Sequence, residues 1–149
     1  MRIRKISEQD YDAYISVIQA SLDESVTYGE EIVNFFRDRY NRDYLKNKIS
    51  NGTFYVAVDN EQVIGLGGIE EGWIKKMFIH PNRQSEGIGG RILEQLEDKA
   101  RAENRNEVFL YSFPNSIRFY QGRRYSIVED IALEMGGLKI RTTKMKKEL

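Results

Sequence analysis

Whatever chemistry this chain performs must run on a short list of side chains. Cysteine is absent and His80 is the one histidine. A thiolate nucleophile, a disulfide, a thiolate zinc site and a histidine-rich metal centre are therefore excluded, and no metal is expected. Carboxylates, phenols, hydroxyls, lysines and backbone N–H groups remain. The densest display of backbone donors is Gln84-Ser85-Glu86-Gly87-Ile88-Gly89-Gly90, set between an apolar run ending at His80-Pro81 and an amphipathic run opening at Arg91. The first N–H groups of a helix have no intrahelical partner, and the helix dipole adds partial positive charge there. Glycines let an anion such as a pyrophosphate approach that backbone closely. Two common phosphate loops are excluded on residues: Ile92 stands where G-x-G-x-x-G needs its third glycine, and no Gly-Lys-Ser/Thr occurs. An unliganded strand-to-helix turn and a phosphate cradle both satisfy what is left.

The elements that must position this loop can be read from periodicity. MRIRKI is a short strand, and Ser7 with Asp10 has the spacing of a capping box. Tyr11, Tyr14, Ile15, Ile18 and Leu22 then share one helical face. A second helix carries Ile32, Val33, Phe36 and Tyr40, and a third carries Leu45 and Ile49 and stops at Asn51-Gly52. TFYVAVD, QVIGLGGIE and WIKKMFIHP are strands, the last two joined only by Glu71-Gly72, so a tight hairpin is expected. Pro81 ends the third of them. After the glycine loop, Ile92, Leu93, Leu96 and Ala100 form a helical stripe. NEVFLYSF is a strand, Pro114-Asn115-Ser116 opens a short helix through Tyr120, and SIVEDIALEM and LKIRTTKMK form a hairpin about Gly136-Gly137. The expected fold is one α/β domain over residues 1–149, a single mixed, mostly antiparallel sheet flanked by helices.

With that context the loop resembles the acyl-CoA signature of the GNAT superfamily of N-acetyltransferases, Q/R-x-x-G-x-G/A. Gln84-Ser85-Glu86-Gly87-Ile88-Gly89 matches every fixed position. MFIHP before it is similar to the family's fourth strand, and RILEQLEDKA after it to the family's long helix. PNSIRFYQGRRY resembles the family's closing motif. The resemblance covers nearly the whole chain, in order.

The resemblance implies acetyl-CoA as cosubstrate and a role for each matching residue. The fourth strand would splay from the fifth and hold the pantetheine arm through its free backbone edge, as in β-augmentation, with Met77, Phe78 and Ile79 along the arm. Ser85, Glu86, Gly87, Ile88, Gly89 and Gly90, following Gln84, would offer N–H groups to the pyrophosphate. A backbone N–H of Phe78 or Ile79 would polarise the thioester oxygen. Tyr120, beside Phe119, matches the general acid that reprotonates the departing thiolate; without the motif it reads as a packed aromatic. Three departures stand out. Glu86 places a carboxylate beside a pyrophosphate, with Arg83 and Arg91 near in sequence to offset it. Asn115 stands two positions after the Asn of many members, where this chain has Phe113, so it either contacts CoA or caps the short helix. Lys75 and Lys76 stand near where some members carry a catalytic glutamate. Glu70 and Glu71 are the nearest candidates in sequence for the base, with solvated turn residues as the competing reading. His80, the one histidine, sits at a strand end, where a surface role is the expected one.

Composition narrows the partners. Lys plus Arg and Asp plus Glu both number 23 in 149 residues, and 40% of residues are hydrophobic. That balance asks for neither nucleic acid nor an anionic membrane. No stretch is apolar enough to span a bilayer, and MRIRKISEQD has no signal core, so a cytoplasmic protein is expected. The acceptor would be a primary amine, expected on a small molecule. Asp23, Glu24, Glu30 and Glu31 beside Tyr28 and Phe35 would suit a cationic amine, or simply form a solvated face. A non-catalytic acyl-CoA sensing module and a protein or peptide amine acetyltransferase are the rival readings. The sequence does not reveal the oligomeric state; the resemblance allows a homodimer, because exposed strands in the family often pair.

Overall fold

The structure, a computed structural model, describes residues 1–23 and 29–149. Strand β1 (Arg2–Lys5) leads through a 3-10 turn into helix α1 (Tyr11–Asp23). The predicted capping box is present: Asp10 Oδ2 accepts the Ser7 backbone N–H at 2.8 Å, and the Asp10 carboxylate also holds Arg4 at 2.7 and 2.8 Å. Helices α2 (Glu30–Arg39) and α3 (Arg42–Ser50) follow, the latter capped by Asn41 Oδ1 accepting from the Tyr44 N–H at 3.0 Å.

Strands β2 (Thr53–Asp59), β3 (Gln62–Glu70) and β4 (Trp73–Ile79) form an antiparallel meander. Their turns, Asn60-Glu61 and Glu71-Gly72, have positive φ at both residues, the geometry whose twist matches right-twisted strands. Helix α4 (Ile88–Ala102), strand β5 (Glu107–Ser112), the short helix α5 (Ile117–Gln121) and strands β6 (Ser126–Met135) and β7 (Leu138–Glu148) complete the chain. The seven strands form one sheet in the order β1-β2-β3-β4-β5-β7-β6, antiparallel except between β4 and β5. The predicted α/β fold class is therefore observed, and each predicted strand and helix among the described residues is present.

Both sheet faces are covered by apolar clusters. Helix α4 buries Ile88, Ile92, Leu93, Leu96 and Ala100 on one face, while α1–α3 bury Tyr14, Ile18, Phe36, Tyr40 and Leu45 on the other. Close approach of α4 depends on Gly65, where an added Cβ would lie 2.8 Å from Ile79 and 3.2 Å from both Ile88 and Ile92. Among the described residues no helix is long and apolar enough to cross a membrane.

The sheet opens at its middle. β4 and β5 pair at Trp73 and Phe109 alone, supported by the Phe109 N–H donating to the Gly72 carbonyl at 2.9 Å. Just beyond, Lys76 adopts a left-handed backbone (φ 59°) and β4 bulges, so that Gly68 pairs with Lys75 while Leu66 pairs with Phe78. A bulge bends its strand and increases its twist. Here it carries β4 away from β5 and leaves a wedge.

Candidate active site

A cleft of about 510 Å³ fills the wedge on the α4 side. Met77 and Ile79 of β4 form one wall, and Gln84, Ser85, Gly87, Ile88 and Gly89 form the floor at the start of α4. Asn115, Phe119 and Tyr120 form the facing wall. Ser85 (φ 65°) and Gly87 (φ 81°) both take left-handed backbone, which turns the chain sharply into the helix. The Arg91 N–H is bonded back to the Gly87 carbonyl at 3.2 Å, and the earlier amides of the first turn have no intrahelical acceptor. A Cβ built on Gly87 meets nothing within 4 Å, whereas one on Gly89 would lie 3.2 Å from the Phe119 ring. The floor is thus a bare, donor-rich backbone under an aromatic edge, which suits a phosphate group.

Cations flank this floor. Arg83 lines the cleft and donates to Glu86 at 3.0 and 3.1 Å and to Asp59 at 2.7 Å. The carboxylate of Glu86 is therefore neutralised by Arg83 and does not line the cleft. Arg123 also lines the cleft, with its guanidinium over the Phe119 ring at 5.3 Å and directly above Gly90. Gly90 makes room for that guanidinium.

Tyr120 is 7% exposed, and burial pushes its phenol well above the ordinary value, so it is protonated at neutral pH. Its ring meets Phe119 and Tyr125 edge-on at centroid distances of 5.1 and 5.6 Å. Tyr125 donates to the buried Glu97 at 2.8 Å, and Glu97 also accepts from Lys147 at 2.8 Å. This lock ties the turn after α5 to α4 and β7, and the Tyr125 N–H donating to the Tyr120 carbonyl at 3.1 Å links it to Tyr120.

A second, smaller pocket of about 110 Å³ lies across the wedge, with Tyr40, Lys76, Phe78 and Phe113 in its lining. It shares Met77, Ser116 and Tyr120 with the large cleft. Two cavities thus share Tyr120 in their walls. Between them, backbone alternation decides which amides are free. Phe78 is paired with Leu66, and the His80 N–H goes to the Ile64 carbonyl at 2.8 Å, so residues 78 and 80 turn toward β3. Ile79 turns toward the wedge, where its carbonyl accepts from Ser21 Oγ at 3.1 Å and Gln84 Nε2 at 3.4 Å.

The family model of the acetyltransferase (GNAT) domain matches residues 24–149. The chain belongs to the GNAT acetyltransferase family. A curated relative, an uncharacterized N-acetyltransferase of Archaeoglobus fulgidus, is 25% identical over 153 aligned positions, covering 92% of this chain and 97% of the relative. The fold matches a GCN5-related N-acetyltransferase of Rhodopseudomonas palustris with a TM-score of 0.94 at 18% identity, over 99% of this chain and 95% of that one. It matches the PaiA N-acetyltransferase of Thermoplasma acidophilum, solved with coenzyme A, with a TM-score of 0.83 at 21% identity, over 99% and 98% of the two chains.

In this GNAT chain the structure brings ten of the expected cofactor and acid positions to the large cleft: Met77, Ile79, Gln84, Ser85, Gly87, Ile88, Gly89, Asn115, Phe119 and Tyr120. Others fall elsewhere. Phe78 lines the smaller pocket and its N–H faces β3, which leaves Ile79 as the amide aimed into the wedge. Glu86 turns to Arg83, and Gly90 lies beneath Arg123. Glu70 and Glu71 require correction as candidate bases. Glu70 pairs with Trp73 at the closed end of β4 and binds Lys75 at 3.0 Å, and both glutamates line a separate depression with Arg105. From Trp73 to Phe78 the strand advances by about 16 Å, so nearness in sequence carried them to the wrong end.

On the acceptor side, Glu24, Tyr28 and the side chain of Asp23 lie outside the described residues. Glu30 and Glu31 are exposed in the first turn of α2, and neither lines the smaller pocket. The residues that sequence reasoning missed are Arg123, Ser116, Tyr40 and Lys76 in its pocket role. Arg123 had a usable signal, since it follows Tyr120 within the closing motif. Tyr40 had none, because nothing local records that it will face β4.

Proposed function

We propose that this chain moves an acetyl group from acetyl-CoA to a primary amine of a small molecule by direct attack in a ternary complex. The observation that carries the reading is the meeting of the donor-sized cleft and the small pocket at Tyr120, Met77 and Ser116. The coenzyme A bound by the Thermoplasma relative supports acetyl-CoA as donor. The shared sheet with apolar clusters on both faces supports treating residues 1–149 as one acetyltransferase domain.

Each part has a role that its geometry suits. The amides of Ser85, Gly87, Ile88 and Gly89 at the cleft floor take the pyrophosphate, with Arg83 and Arg123 as flanking cations. The pantetheine arm lies along Met77 and Ile79, and the Ile79 N–H polarises the thioester oxygen. The acceptor nitrogen, as free base, forms the new C–N bond while the C–S bond breaks. Tyr120 supplies its phenolic proton to the departing sulfur, the proton on nitrogen leaves to water, and Tyr120 regains a proton from water before the next turnover. Among the described residues no carboxylate lines either cavity. No covalent enzyme intermediate is needed, which fits a chain without cysteine.

The narrow second pocket supports a small or slender amine over a folded protein surface. The test is thiol release from acetyl-CoA across small amines, polyamines and peptides. Release with small amines and not peptides is expected; binding of CoA without release on any acceptor overturns the reading, and release confined to peptides overturns the small-molecule part.

A further inference from the structure

Among the described residues, the charges around the acceptor pocket are the reverse of those suited to a polyamine. Lys76 is half-buried in its lining. The left-handed bulge directs this side chain at helices α2 and α3, where its Nζ lies 3.3 Å from both Tyr40 Oη and Tyr44 Oη. It also sits over the two rings, at 4.7 and 5.3 Å from their centroids. All these partners are neutral. Among the described residues no carboxylate pairs with Lys76. The neighbouring Lys75 has its own, Glu70, and Arg39 faces the rings of Phe35 and Tyr44 at 5.6 and 5.2 Å. Asp38 and Asp43, on the same two helices, are exposed and outside the pocket lining.

A non-glycine residue in left-handed conformation inside a strand is costly, as is a partly buried ammonium without a counter-ion. Phenols and ring faces compensate only part of that charge. The Tyr44 phenol senses the excess. Burial raises it, yet Lys76 and Arg39 together hold it below the ordinary tyrosine value. Such a corner attracts an anion and repels a second cation, and the surrounding Phe78 and Phe113 strengthen both effects by excluding water.

We propose that the acceptor is an amino acid-like molecule, a primary amine with a carboxylate nearby, and that Lys76 binds that carboxylate while the amine faces Tyr120. This inference rests on the acetyl-transfer reading above. It differs from the reading of a cationic amine held by Asp23, Glu24, Glu30 and Glu31.

The test compares matched acceptors in the thiol-release assay: L-phenylalanine with phenethylamine, L-leucine with isoamylamine, and γ-aminobutyrate with butylamine. Rates are expressed per free-base amine, because the carboxylate also alters the amine's pKa. The wild-type protein is expected to favour at least one carboxylate member by about 10- to 100-fold in kcat/KM, the usual worth of a hydrogen bond to a charged group. Lys76→Gln should abolish that preference and Lys76→Arg retain it, both with the KM for acetyl-CoA unchanged. Equal or faster turnover of the plain amines by the wild type overturns the carboxylate assignment and leaves acetyl transfer standing. A preference that survives in Lys76→Gln overturns the role of Lys76. Acetyl-CoA binding with no release on either arm overturns both readings.

Discussion

At the scale of single residues, Tyr120 carries the most weight. Its phenol is kept protonated by burial and stands where the two cavities join. Tyr120→Phe keeps the ring contacts and removes the proton, so kcat should fall by about 10²-fold or more with little change in acetyl-CoA affinity; steady-state kinetics beside a calorimetric titration check this. Equal loss in both would count against the acid role. Tyr14 offers a contrast. It is fully buried, and among the described residues its hydroxyl is the buried side-chain polar atom without a partner. Tyr14→Phe should therefore stabilise the fold by about 1 kcal/mol, read as a higher urea midpoint at unchanged slope. Residue chemistry was unevenly legible in the sequence. Gln84 to Gly89 and the Phe119-Tyr120 pair were legible through their resemblance to the family's motifs, since spacing alone left a turn and a packed aromatic open. Glu86, flagged there as the misfit, is explained only by Arg83 and Asp59, and Asp59 lies on a distant strand.

At the scale of elements, β4 and α4 act together. The Lys76 bulge parts β4 from β5, and the Gly87 turn aims the α4 amides into the gap. The seating of α4 depends on bare backbone in β3. Gly65→Val would press into Ile79, Ile88 and Ile92, and should destabilise by about 1–3 kcal/mol. Chemical denaturation measures that loss, and acetyl-CoA affinity should fall with it because the helix start would shift. Strands, hairpins and helices were readable because each has a local period or a turn pair such as Glu71-Gly72. The bulge was not, since nothing in the types Lys75-Lys76 encodes a left-handed backbone. The direction of β4 also escaped local reading, which is why Glu70 and Glu71 were placed at the wrong end.

At the scale of the whole molecule, buried ionisable groups bound the pH range of the fold. The hydrogen bonds from Arg4 hold Asp10 below its ordinary value, so its contribution is present above about pH 4 and is lost as pH falls through its folded value. Tyr14, Tyr120 and Tyr125 are all raised, each chiefly by burial. The unfolded chain releases these protons first, so stability should decline as pH rises above about 10. Thermal melts from pH 3 to 11 should show a plateau between these limits; a plateau that runs unbroken through pH 11 would show that these phenols are not buried as described. The order of elements made the sheet and its family legible at this scale. The two facing cavities were not, because they arise from pairs such as Tyr40 with Phe78, brought together only by folding.

The central claim is direct transfer between two ligands that meet at the β4–β5 wedge. It is tested most directly by initial rates of thiol release with acetyl-CoA and a responsive amine varied together. Double-reciprocal lines that intersect, as for a ternary complex, are the predicted result. Parallel lines, the pattern of an acetylated enzyme intermediate, would contradict it.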